Sequence, residues 1–112
     1  MEITAETHTD VTVVSISGTV DSGTAVALAA TLRAHAENGG SHLVADLARV
    51  DYMSSAGLRA LLETVKEARK RGGDLRLASV QPNVLRVLDL SGFTKILKVF
   101  STVAAAAASF TA

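Results

Sequence analysis

Cysteine is absent from the 112 residues, which removes disulfides, thiolate metal sites and cysteine nucleophiles. Tryptophan is absent too, and aromatic residues are only 4% of the chain, too few and too scattered to stack bases. Neither sign of charge dominates: 11 basic and 11 acidic residues cancel, so no global field draws the chain to nucleic acid. No apolar run approaches the roughly 18 residues of a membrane span. Met1-Glu2-Ile3-Thr4 has neither the basic nor the apolar region of a signal peptide. The expectation is a cytoplasmic protein away from membranes. Catalytic patterns are missing as well. His8, His35 and His42 share no metal-ligand spacing, and no GxSxG elbow surrounds a serine. Gly18-Thr19-Val20-Asp21-Ser22-Gly23 matches neither GxxxxGK[ST] nor GxGxxG. The chain is not expected to be an enzyme, and no cofactor or metal is called for.

What remains is a chain 48% hydrophobic, long enough for one core and read as a single domain over 1–112. Residues 3–7 and 11–17 predict two strands joined by the polar turn His8-Thr9-Asp10, an antiparallel hairpin. Gly18 is expected to end the second strand. Asp21 or Ser22 can cap a helix running to about Glu37, with Leu28 and Leu32 facing inward, His35 partly buried, and Asn38-Gly39-Gly40 as its stop. Residues 42–47 read as a buried strand, 55–71 as a helix closed by Gly72-Gly73, and 74–80 as a further strand. Pro82, the only proline, suits the first turn of a third helix that Ser91-Gly92 ends. Residues 96–100 predict a last strand, and Ser101 a cap for the Ala104–Ala108 run. The order β-β-α-β-α-β-α-β-α implies an α/β fold with a mainly parallel mixed sheet and one antiparallel edge from the hairpin.

The most informative stretch is Val50-Asp51-Tyr52-Met53-Ser54-Ser55-Ala56-Gly57-Leu58. From Leu58 the apolar residues Leu58, Leu61, Leu62, Val65 and Ala68 fall on one helical face. The two serines therefore stand at a helix N-terminus, where unpaired N–H groups and the helix dipole favour an anion, and a phosphate added there would be well placed. Serine is also a preferred N-cap. Ser54 is the better candidate for that role, leaving the Ser55 hydroxyl free. Gly57 is unusual so early in a helix, and its missing side chain suggests close approach by another backbone or a partner. Lys66 and Arg69-Lys70-Arg71 read as a solvated cluster that complements the helix dipole.

The segment Tyr52-Met53-Ser54-Ser55-Ala56-Gly57-Leu58, after a hydrophobic strand and before a leucine-rich helix, resembles the signature of the STAS family and of its small bacterial anti-sigma factor antagonists. Gly18-Thr19-Val20-Asp21 resembles that family's Gly-x-aliphatic-Asp turn after the second strand. The resemblance extends over the whole chain. It implies that Ser55 is the phosphoacceptor and that Ala56-Gly57-Leu58 completes the motif. Ser54 stands where the family carries an aspartate, which makes Ser54 a second candidate acceptor, although alignment on Gly57-Leu58 favours Ser55. Further implied are a partner-binding surface of Asp21, Ser22, Tyr52, Met53, Ser54, Ala56, Gly57 and Leu58, an anti-sigma factor serine kinase of the GHKL type as partner, and a PP2C-type phosphatase that resets the switch. Unphosphorylated, such a protein occupies the kinase and frees a sigma factor; phosphorylated on Ser55, it lets go. The alternative is a STAS module that is never phosphorylated, acting as an adaptor or ligand sensor in a larger assembly.

Overall fold

The computed structural model describes residues 1–38 and 41–110. In chain order they form β1 (Glu2–His8), β2 (Val11–Val20), α1 (Ser22–Glu37), β3 (His42–Met53), α2 (Ser55–Lys70), β4 (Asp74–Ala78), α3 (Pro82–Leu90), β5 (Val99–Phe100) and α4 (Val103–Ala108), with a 3-10 turn over Phe93–Lys95. The sheet order is β1-β2-β3-β4-β5. β1 runs antiparallel to β2, and every other neighbouring pair is parallel. The α/β class and element order are those read from the sequence. The hairpin closes through Thr9, which adopts a left-handed φ of 58°, with His8 opposite Val11.

Alternation along the strands divides the core in two. Val14 and Ile16 of β2, Leu43, Ala45 and Leu47 of β3, and Leu75 and Leu77 of β4 pack with α1, α2 and α3. Val11, Val44 and Ala78 face the other way and pack with Ala106 of α4, joined by Phe100, Val103 and Phe110. The helices on the first side present Leu28 and Leu32, then Leu58, Leu61 and Val65, then Val84 and Leu88. His35 is half-buried on α1.

Four strand boundaries differ from the sequence reading. β2 runs through Gly18 to Val20, because Gly18 takes a φ of 101° that a side chain would resist. β3 continues past Leu47 to Met53. Ser15 and Ser17 face Asp46 and Arg49, and Gly18 and Thr19 face Val50 and Tyr52, so β3 holds an extra residue at each of these steps. Such bulges break period-two alternation, turning Val50 and Met53 inward where strict alternation would end the strand. β4 stops at Ala78 because Ser79 is left-handed, with a φ of 56°. The last strand shrinks to Val99–Phe100, since the turn at Phe93–Lys95 uses Ile96 as its cap and buries Leu97. One helix end also differs: Thr102, not Ser101, caps α4, its hydroxyl accepting from the Ala105 N–H at 3.0 Å. α1 ends at Glu37 with Asn38 as its C-cap, as expected, and the Gly39-Gly40 part of the expected stop lies outside the described residues.

The basic end of α2 is more structured than a solvated cluster. Arg69 donates to the nearly buried Asp74 carboxylate at 2.9 Å and to the Ile96 carbonyl at 2.7 Å, while Arg76 reaches the other Asp74 oxygen at 3.0 Å. Arg71 pairs with Glu67 at 2.7 Å. The carboxylate between two guanidiniums thus ties the end of α2 to β4 and to the turn before β5.

Candidate functional site

The bulged end of β3 determines where the serines stand. Parallel pairing sets Thr19 beside Tyr52 and Val20 beside Met53, so both strands release their chains at the same sheet edge. Helices α1 and α2 begin there side by side, at the carboxyl ends of parallel strands where α/β folds commonly bind. The Ser54 N–H donates to the Val20 carbonyl at 2.8 Å, pinning one turn to the other. Asp51, just upstream, is held from two directions. Its carboxylate accepts from the Thr19 hydroxyl at 3.0 Å, and its carbonyl accepts from the Asn83 amide at 2.7 Å.

Each turn is capped by a residue the sequence singled out. Ser54 is the N-cap of α2, its hydroxyl accepting from the Gly57 N–H at 3.2 Å. Asp21 is the N-cap of α1 in a reciprocal capping box. The Thr24 N–H donates to its carboxylate at 2.9 Å, and the Asp21 N–H donates to the Thr24 hydroxyl at 2.9 Å. The backbone bond from Thr24, then the bond from its hydroxyl, hold the Asp21 carboxyl below its ordinary value of 3.8. Ser55 is the first residue of α2 and is exposed. Among the described residues its hydroxyl has no hydrogen-bond partner. Capping and availability are thus divided between the two serines.

Asp21, Ser22, Tyr52 and Ser55 are exposed, and Ser54 and Ala56 are half-buried. Met53, Gly57 and Leu58, expected at a partner surface, lie inside the domain. Leu58 packs in the main core. A Cβ on Gly57 would stand 2.5 Å from Met53 Sδ and 2.7 Å from Val20 Cγ1. The bare Cα therefore lets α2 sit close against the ends of β2 and β3, and it keeps no space for an outside backbone. These three residues position the exposed ones.

Two residues join the site that the sequence reading did not select. A shallow groove between α1 and α2 is lined by Ser22, Val26, Ala56 and Arg59 among others, and Val26 is 73% exposed. An exposed valine in the groove beside Ser22 and Ala56 is a signal that only the packing of α1 reveals. Apolar residues surround α1 on several sides, so the sequence alone does not single out an outward one. No helix among the described residues is long and apolar enough to cross a membrane.

Comparison with known proteins agrees with this arrangement. The STAS domain family model matches residues 2–106. The Bordetella bronchiseptica protein BtrV, provisionally named an anti-sigma factor antagonist, is 38% identical over 110 residues, covering 98% of this chain and 95% of its own. The anti-sigma F factor antagonist of Paenibacillus polymyxa is 31% identical, over 89% of this chain and 86% of its own. The crystal structure of an anti-sigma factor antagonist from Mycobacterium paratuberculosis superposes with a TM-score of 0.88 at 30% identity, over 96% of this chain and 92% of that one. With a family model spanning nearly all its residues and the matching fold and paired turns, the chain belongs to the STAS domain family, among relatives named anti-sigma factor antagonists.

Proposed function

We propose that this protein is an anti-sigma factor antagonist that binds an anti-sigma serine kinase when unphosphorylated and releases it when Ser55 is phosphorylated. The observation that carries the reading is the division of labour at the start of α2. Ser54 caps the helix, so the exposed Ser55 hydroxyl can be modified without removing the cap. A phosphate adds roughly −1.5 to −2 charges. The α2 dipole favours that charge within the domain. A facing surface has to desolvate it and place it against its own carboxylates, which weakens the interface while the fold persists. Asp21, kept ionised by its capping bonds, adds a second anion on the adjoining turn. The kinase is of the GHKL type, a PP2C-type phosphatase restores the hydroxyl, and the protein acts in the cytoplasm as a binding partner with no catalysis of its own.

The test is incubation with the candidate kinase from the same genome and ATP, followed by mass spectrometry and a binding assay. One phosphate on Ser55, loss of the complex on phosphorylation, and a Ser55→Ala variant that stays bound are expected. Phosphate on Ser54 would overturn the assignment. A stable complex that never incorporates phosphate would favour an adaptor that is not switched by phosphorylation.

A further inference from the structure

Among the described residues, α4 is the one helix on the sheet face away from α1 and α2, with Phe110 just after it, and α4 is six residues of valine and alanine. So small a helix leaves part of the face open. Between it and the β1–β2 hairpin lies a cavity of about 760 Å3, within the range of small-molecule sites. Its floor is Val11, Val13 and Ser15 of β2, and its wall is Ala104 and Ala107 of α4. The alanine run thus does more than form a helix, since larger side chains on that wall would narrow the space.

One end is closed by Phe110, which stacks on His42 with ring centroids 4.9 Å apart and lies under the Arg76 guanidinium at 4.0 Å. The Arg76 guanidinium stands behind Phe110 and is paired with Asp74 at 3.0 Å, so the carboxylates on the cavity lining itself are not neutralised by it. Among the described residues, Glu6, Asp10 and Asp46 line the cavity together with His8 and His42, and no lysine or arginine does. Glu6 is engaged by His8 at 3.1 Å. Asp46 accepts from the Ala48 N–H through Oδ1 at 3.1 Å, leaving Oδ2 without a partner among the described residues. Asp10 has no partner among them either. An apolar chamber with unengaged carboxylates selects an apolar body carrying a cation.

From this we infer that the cavity between α4 and the β1–β2 hairpin is a binding site for a small amphiphile with one aliphatic or aryl body and one ammonium group. The site is separate from Ser55 and lies across the sheet from it. Occupancy would buttress α4 against β2.

Matched probes of one chain length test the assignment: decylammonium, decanol and decanoate, each titrated below its micelle concentration into the 15N-labelled protein. Decylammonium should shift the amides of Val13, Ser15 and Ala107 saturably and leave Ser55 unmoved. It should bind about tenfold or more tightly than decanoate. The double variant D10N/D46N should lose that preference, and Ala107→Leu should weaken decylammonium binding severalfold by narrowing the chamber at the α4 wall. If Ala107→Leu fails to fold, the comparison of probes on the unaltered protein still decides. Equal affinity for decanoate, or saturation at the α1–α2 groove instead, would overturn the inference. So would concentration-dependent protection of the same amides without any amphiphile, which would make this face a contact between two copies.

Discussion

Replacing Gly57 by alanine sets two opposing effects against each other, and the structure decides which prevails. In an exposed helix the change would stabilise by about 0.4–1 kcal/mol, through helix propensity and a less flexible unfolded chain. Here the new Cβ would fall 2.5 Å from Met53 Sδ and 2.7 Å from Val20 Cγ1, where carbon contacts settle near 3.5–4.0 Å. Met53 is 4% exposed and Val20 fully buried, so neither can swing into solvent. Methionine adapts more readily than most side chains, but valine is stiff at χ1. Overpacking of this kind costs about 1–3 kcal/mol. Subtracting the propensity gain leaves a net destabilisation of up to about 2.6 kcal/mol, centred at about 1 kcal/mol, or roughly 4 °C of melting temperature per kcal/mol at this chain length. Urea unfolding should show a lower midpoint with an unchanged slope. Paired with Met53→Ala, which makes room, the substitution should cost less than the sum of the two single changes by about 0.5 kcal/mol or more. The displaced first turn should also lengthen the Gly57 N–H to Ser54 Oγ bond and reorient Ser55. A Gly57→Ala protein more stable than the parent would refute the packing argument and return Gly57 to the role of a space kept for a partner.

The remaining expectations follow from the same geometry. Ser54→Ala removes the cap of α2 and should cost about 1 kcal/mol, whereas Ser55→Ala should stay within about 0.5 kcal/mol of the parent; equal melting temperatures for the two variants would contradict the division of roles. Asp21 has a folded-state value held below 3.8 by its bonds from Thr24, so its contribution is present above 3.8 and fades as pH falls through the lower folded value. Asp21→Asn should therefore flatten the acid limb of a urea-midpoint profile taken from pH 5 to pH 2, and an unaltered limb would count against the capping box. Asp74→Ala strands Arg76 and the inner end of Arg69 and should destabilise by about 3 kcal/mol, read by calorimetry; a loss below about 1 kcal/mol would mean that solvent replaces the carboxylate. Gly73→Ala would drive a Cβ into the Ser41 carbonyl, and a melting temperature equal to the parent's would show that the junction of β3 and β4 yields more easily than the packing implies.

Periodicity and end signals were sufficient for most of the elements. Leu58, Leu61 and Val65 announce α2, Pro82 opens α3 at its first turn, and the turn at His8-Thr9-Asp10 announces the hairpin. The serines at the start of α2 were legible for the same reason: caps and helix starts are local, encoded within a few residues of where they act. What was not legible depends on contacts between segments distant in sequence. The bulges in β3 exist only against β2, so nothing inside residues 42–53 reveals that the strand reaches Met53. The reason for Gly57 lies in Val20, the exposure of Val26 in how α1 leans on α2, and the ordering of Arg69 in a carboxylate on the next strand. The alanine run declared its helix but not its consequence, because a cavity is a property of what fails to fill the space between two elements. Sequence determined which residues start helices and which alternate into strands, since those choices are governed by backbone geometry over a few residues. Tertiary structure alone decided which of the motif's residues face outward, because burial is settled by whatever packs against them from elsewhere in the chain.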